Sequence, residues 1–282
     1  MSPVWPRLVL PPDPAPDRPQ PLRGVSLILT RPPQTGGAMA EALADAGAEV
    51  IEAPAIELRS LVDENLAATA RLLAELRARR GWLILPSKAA IGYFKEALRH
   101  ILPAADHQAA ADPLAGVRLV AVGRASAGAL AEMGLQADFV PSRAGGNCLG
   151  ATLPAQAGEL AAIVGSSETR RELAAGLAGR GIEVRVLALY APQPCAEGLS
   201  AILQALAELP ARRLIVASPS AADALLDAWA AAGRPEGSLR WVAIGPTTRG
   251  RLLERGIRPE AALCAAAPTA QALIEAIVSG LR

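Results

Sequence analysis

Val120–Gly134 reads VAVGRASAGALAEMG, and Val242–Gly256 reads VAIGPTTRGRLLERG. Each phrase is a short apolar run, a glycine, a small hydroxyl residue, an alanine- or leucine-rich stretch and a closing glycine. That order predicts a buried strand, a tight turn, a helix and a glycine C-cap. Carried twice by one chain, it predicts two similar lobes.

The duplication extends outward from this phrase. Leu27–Val50, LILTRPPQTGGAMAEALADAGAEV, aligns without a gap on Ala161–Val184, AAIVGSSETRRELAAGLAGRGIEV. WLILPSKAAIGYF from Trp82 matches RLIVASPSAADAL from Arg213, each with a serine (Ser87, Ser218) between apolar run and helix. FVPSRAGGNCLGATL and LCAAAPTAQALIEAI close the two copies. Short apolar strands alternating with helices predict an α/β fold with parallel sheets covered on both faces. In such sheets ligands gather where strands end and helices begin. Thr30, Ser87, Ser126, Ser166-Ser167, Ser218, Ser220 and Thr247-Thr248 all stand at such points. Helix N-termini there suit carboxylates or phosphates, although Ser and Thr are also favoured simply as caps.

Composition excludes several classes. The 282 residues suffice for two domains, and no apolar run is long enough to cross a bilayer. Residues 1–23 are rich in proline, lack a signal-like apolar core, and are expected to form a disordered tail outside the fold. Cys148, Cys195 and Cys264 lie far apart, and His100 and His107 are the only histidines. This spacing argues against a metal or disulfide framework and for a reducing, cytoplasmic setting. A net charge of +1 gives no case for nucleic acid. Dinucleotide, P-loop and nucleophile-elbow motifs are missing, so the sequence calls for no metal and no cofactor.

The copies differ at one chemically important point: Tyr190, in VLALYAPQP, falls opposite Ile56 in APAIELRS. A phenol of ordinary pKa near ~10 stays protonated at neutral pH and can donate a hydrogen bond or act as a general acid. The plainer reading is an amphipathic side chain packed at a strand end.

With these residues in order, the chain resembles the uroporphyrinogen-III synthase family from about Leu27 to Ile277. The likeness rests on LILTRP, VAVGRASAGALAEMG, GSSETRRELAAGLAGRGIEV followed by LALY, ASPSA, VAIGPTTRGRLLERG and APTAQALIEAI. Leu85-Pro86-Ser87-Lys88 departs from the family's usual residues there, and Ser126 stands where threonine is usual.

The resemblance implies two flavodoxin-like lobes joined by a two-stranded linker. One lobe would hold 24–54 with 193–282 and the other 57–189, with linker strands at about 54–58 and 188–193. It implies cyclisation of hydroxymethylbilane to uroporphyrinogen III, with inversion of the last ring and loss of water. Tyr190 would assist departure of the hydroxyl. Thr247, Thr248, Ser126 and Ser87 would bind substrate carboxylates, with Ser218, Arg240, Arg31 and Arg170 as further candidates. Nothing in the chain demands more than a cytoplasmic monomer, and transient contact with the upstream bilane-forming enzyme is left open. The rival readings are a non-catalytic two-lobe binding or regulatory paralogue on the same scaffold and a sugar-binding or glycosyl-transfer enzyme. For the latter no acidic nucleotide site stands out.

Overall fold

Residues 5–13, 19–31, 33–102, 113–143, 146–168, 171–209, 212–233 and 239–281 are described by a computed structural model. The chain divides into two units, Met1–Glu57 with Gln193–Arg282, and Leu58–Pro192.

In the first unit the sheet runs β1 (Arg7–Val9), β3 (Glu49–Glu52), β2 (Ser26–Leu29), β9 (Arg213–Val216), β10 (Arg240–Ala243) and β11 (Ala262–Cys264). Neighbours pair in parallel, except that β1 is antiparallel to β3. Helices α1 (Pro33–Asp45), α7 (Ala196–Glu208), α8 (Pro219–Ala231), α9 (Pro246–Glu254) and α10 (Ala270–Ser279) connect or follow the strands. Side chains alternate between the two faces: Ile28 packs with Leu214, Trp229 and Trp241, while Leu27 and Leu29 pack with Ile215, Leu273 and Ile277. Burying each such aliphatic side chain contributes roughly 1.5–3 kcal/mol.

The second unit's sheet runs β4 (Ile56–Ser60), β8 (Glu183–Pro194), β7 (Leu160–Ser166), β5 (Trp82–Leu85) and β6 (Arg118–Ala121). Phe139 adds a parallel bridge to Val120 of β6. Its helices are α2 (Val62–Arg79), α3 (Lys88–Ile101), α4 (Arg124–Ala131), α5 (Gly146–Thr152) and α6 (Arg171–Ala178). The chain passes from one unit to the other within β4, after Glu57, and returns within β8, after Pro192. At that passage Gln193 Nε2 donates to Glu57 Oε1 at 2.7 Å.

Strand order explains how a tandem repeat becomes two units. Numbered as the chain meets them, β3-β2-β9-β10-β11 is the 2-1-3-4-5 order of flavodoxin-like sheets. The order β8-β7-β5-β6-Phe139 is the same when counting starts at β7. Each unit therefore combines the first β-α-β of one repeat with the later strands of the other. The repeat persists in backbone detail. Gly134 and Gly256, at φ +75° and +91°, close α4 and α9 in the left-handed conformation that glycine adopts without strain. Their amides bond Ala131 and Leu253, and the next amides bond Leu130 and Leu252.

The structure corrects the expectation for residues 5–13 and 19–23. Arg7–Val9 forms a sheet strand, Trp5 packs against the core, and Leu22 is fully buried with its amide bonded to Ala46 O at 2.9 Å. Proline count alone missed this, because the alternation in Arg7-Leu8-Val9 is too short to register beside it.

Candidate active site

Tyr190 sits where β8 departs from regular pairing. Gly165 is opposite Ala188, yet Ser166 is opposite Tyr190, so the register slips by one residue. An extra residue in one strand re-aims the side chain beside it. Leu189 joins the core cluster against which Tyr93 packs, and Tyr190 stacks on Tyr93 itself. The two rings lie 4.8 Å apart between centroids at 19°. Tyr190 is buried, and its hydroxyl is 3.2 Å from Ser87 Oγ, with either oxygen able to donate. Ser87 also caps α3, accepting from Ala90 N at 3.1 Å. Tyr93 Oη donates to Leu58 O at 3.1 Å. Burial, followed by the nearby Glu96 carboxylate and Tyr190, raises the pKa of Tyr93.

The strand-end hydroxyls divide into two kinds. Ser87 and its repeat partner Ser218 are true caps; Ser218 accepts from Ala221 N at 3.1 Å. The corners quoted at the outset differ. Gly123 and Gly245 occupy the cap positions of α4 and α9, and neither helix has a side-chain cap. Ser126 and Thr248 lie three residues on and are buried, whereas Thr247 is exposed. A glycine-capped first turn leaves backbone N–H groups for an anion. The Cβ that Gly245 lacks would project into open space, so nothing in the fold crowds that corner.

At the same edge of the first unit, Thr30 staples β2 to β9: its Oγ1 accepts from Ala217 N at 3.1 Å. This is the point where strand order reverses, the place where ligands bind in doubly wound sheets. Arg31 follows, half-buried, with no hydrogen-bond or ion-pair partner among the described residues. Burial lowers its pKa, as expected for a cation with no counter-charge. Arg240 is elsewhere. It opens β10 at the opposite edge of the sheet, exposed and in register with Arg213. Burial, then the Arg240 charge, lowers the pKa of Arg213. The structure thus sets Arg240 apart from Thr30, Arg31, Ser218 and Thr247, and Arg170 falls outside the described residues.

Sequence reasoning passed over two groups. Tyr93 read as an ordinary helix residue, because its partner depends on a bulge in a distant strand. Glu52 is fully buried at the end of β3, bonded to Arg7 Nη1 at 2.8 Å through Oε2, while Oε1 has no partner among the described residues. Burial raises its pKa, against the opposing pull of Arg7. The signal was legible: a glutamate inside the apolar run Val50-Ile51-Glu52-Ala53. Among the described residues no helix is long and apolar enough to cross a membrane, and no His, Cys, Asp and Glu group could hold a metal ion.

Two doubly wound parallel-sheet units, linked through two strands and built from split repeats, define a two-unit α/β protein whose strand ends carry hydroxyl groups and bare helix starts. The family model for uroporphyrinogen-III synthase HemD matches residues 37–275, and the chain belongs to that family. It is 32% identical over 141 residues to the porphyrin biosynthesis protein HemD of Ruminiclostridium josui, a match covering 50% of this chain. The chain spans about a quarter of that relative's length, 26%. Solved structures of a mutant uroporphyrinogen III synthase from Thermus thermophilus and of uroporphyrinogen-III synthetase from Helicobacter pylori share the fold. Their TM-scores are 0.58 and 0.56, at 20% and 17% identity. Each match covers 92% of this chain, and 99% and 100% of the respective structures.

Proposed function

We propose that this protein closes hydroxymethylbilane to uroporphyrinogen III, inverting the last ring and releasing water. The observation that carries the reading, in a chain of this family, is the placement of Tyr190: buried, bulge-aimed and hydrogen-bonded to Ser87. Ser87 Oγ already accepts a hydrogen bond from the Ala90 amide, so its single O–H is available to Tyr190. With Ser87 donating, the phenol proton is free to point at the substrate's leaving hydroxyl. The C–O bond breaks with electron release from the pyrrole nitrogen, and the hydroxyl departs as water with the phenol's help. A C–C bond then forms to the last ring at the carbon that already carries its bridge, giving a spiro centre. The old bridge bond breaks, the freed bridge carbon bonds the ring's other α-carbon, and loss of that carbon's proton restores the neutral phenol. The rest of the task is conformational, holding the chain so that the inverted, spiro-forming attack is favoured.

Each unit supplies groups suited to the substrate's carboxylates. The first offers Arg31, Thr247 and the glycine-capped start of α9 beside Thr248; the second offers the glycine-capped start of α4 beside Ser126. Ser87 acts on Tyr190 rather than on substrate, and Ser218 serves as a cap. No cofactor is called for. The reading also places the protein in the cytoplasm as a monomer receiving an unstable bilane from the enzyme that makes it.

The test supplies freshly made hydroxymethylbilane, oxidises the products and separates isomers I and III by chromatography. Isomer III is expected, and Tyr190→Phe should slow its formation about 10²-fold, more than Thr248→Ala does. Isomer I alone, formed at the rate without protein, would favour the non-catalytic module. Equal effects of the two substitutions would remove Tyr190 from its role.

A further inference from the structure

Among the described residues, two groups from α3 and its cap make hydrogen-bond or stacking contact with the Tyr190 side chain. Ser87 caps α3 and reaches the phenol oxygen; Tyr93, six residues further along, stacks on the ring. Tyr93 is itself tethered, because its hydroxyl donates to Leu58 O in β4. A phenol restrained only through its oxygen can still swing about that bond. A stacked neighbour fixes the ring plane and hence the direction of the O–H. Near-parallel stacking at 4.8 Å lies within the range where aromatic pairs attract beyond simple burial.

We propose that Tyr93 is a positioning residue for the reaction, fixing the plane of Tyr190 while its own hydroxyl ties α3 to β4. The proposal rests on the role given above to Tyr190. A helix that shifted would move both restraints together, so the phenol keeps its aim as a unit with α3. The raised pKa of Tyr93 fits this role, since a phenol that stays neutral keeps donating to Leu58 O.

The experiment is a double-mutant cycle on the full chain with hydroxymethylbilane as substrate, reading kcat and KM for isomer III. Tyr93→Leu, which removes the stack, should lower kcat about tenfold with KM changed less than about twofold. Tyr93→Phe keeps the stack and loses only the tether, so kcat should fall about threefold. In a Tyr190→Phe background neither change should lower kcat further, because Tyr93 acts only through the Tyr190 hydroxyl. An effect that multiplies in that background overturns the proposal, as does a Tyr93→Leu enzyme with wild-type kcat.

Ring-labelled tyrosine NMR supplies a second readout. The chain has two tyrosines, so Tyr93→Phe assigns both sets of signals. The Tyr190 signals should hold their positions in Tyr93→Phe and collapse toward those of a free, flipping ring in Tyr93→Leu. Unmoved signals overturn the proposal. If Tyr93→Leu fails to fold, the Tyr93→Phe cycle decides by the same non-additivity. A Tyr190→Phe enzyme with wild-type kcat would instead sink the Tyr190 assignment itself, and the proposal with it.

Discussion

Replacing Arg7 with alanine tests whether the N-terminal strand belongs to the fold. Glu52 is fully buried, Arg7 is 42% exposed, and their 2.8 Å contact is the sole hydrogen bond to that carboxylate among the described residues. Losing the partner of a fully buried charge costs about 3–5 kcal/mol, but protonation sets a ceiling here. Neutralising a carboxyl of ordinary pKa 4.5 at pH 7 costs about 3.4 kcal/mol. Burial already holds Glu52 above that value with Arg7 present, so part of the ceiling is reached in the wild type. The expected loss at pH 7 is about 2 kcal/mol. At pH 5 the ceiling falls to about 0.7 kcal/mol, and the loss should shrink with it. The sign follows from linkage. Folded Glu52 binds its proton more tightly than unfolded Glu52. Its contribution is therefore greatest below 4.5 and declines as pH rises through the raised value. Urea unfolding followed by tryptophan fluorescence suits the measurement, because Trp5, Trp229 and Trp241 lie in the first unit and only Trp82 in the second. Adding Glu52→Gln to Arg7→Ala should restore most of the stability. Equal losses at the two pH values, or less than about 0.5 kcal/mol at pH 7, would refute the reasoning.

Two further substitutions probe the same unit. Arg31→Met should leave thermal stability unchanged or raised, since it removes a desolvated cation with no partner among the described residues; it should also raise KM for hydroxymethylbilane about tenfold, and an unaltered KM would exclude Arg31 from substrate binding. Gly198→Ala would set a Cβ 2.0 Å from Pro54 O; about 3 kcal/mol or more should be lost in a melt, and a near-native Tm would show that α7 can move aside.

The repeats made the sheet pattern legible because strands of four residues, buried on both faces, leave apolar runs such as Trp82–Leu85 and Arg213–Val216 bounded by serine. Sheet order was legible only through the family resemblance. Nothing in the repeat itself tells the chain to leave the first unit within β4 and return within β8. At the site, Tyr190 stood out as a phenol opposite an alkyl group, whereas Arg31 was a candidate only through the family resemblance. Tyr93 did not stand out, because its role comes from the slip between Gly165 and Ser166, which depends on how two strands settle against each other. Arg240 came from the resemblance alone; it precedes its apolar run, which sets it at the N-terminal end of β10, away from the strand ends that carry Thr30, Ser218 and Thr247.

On the proposed reading, one residue separates a reactive corner from a structural one. Ser87 and Ser218 have nearly the same backbone angles and make the same 3.1 Å cap bond. What differs is the residue that the repeat supplies at the matched position of the preceding or following copy. In the first unit that residue is Ile56, an alkyl chain packed against the core around Leu199 and Ile202. In the second it is Tyr190, which brings an oxygen to Ser87. Isoleucine can offer Ser218 no hydrogen bond, so that corner has packing and a cap but no acid. Duplication therefore supplies two equivalent scaffolds, and one phenol gives the Ser87 corner a proton to donate.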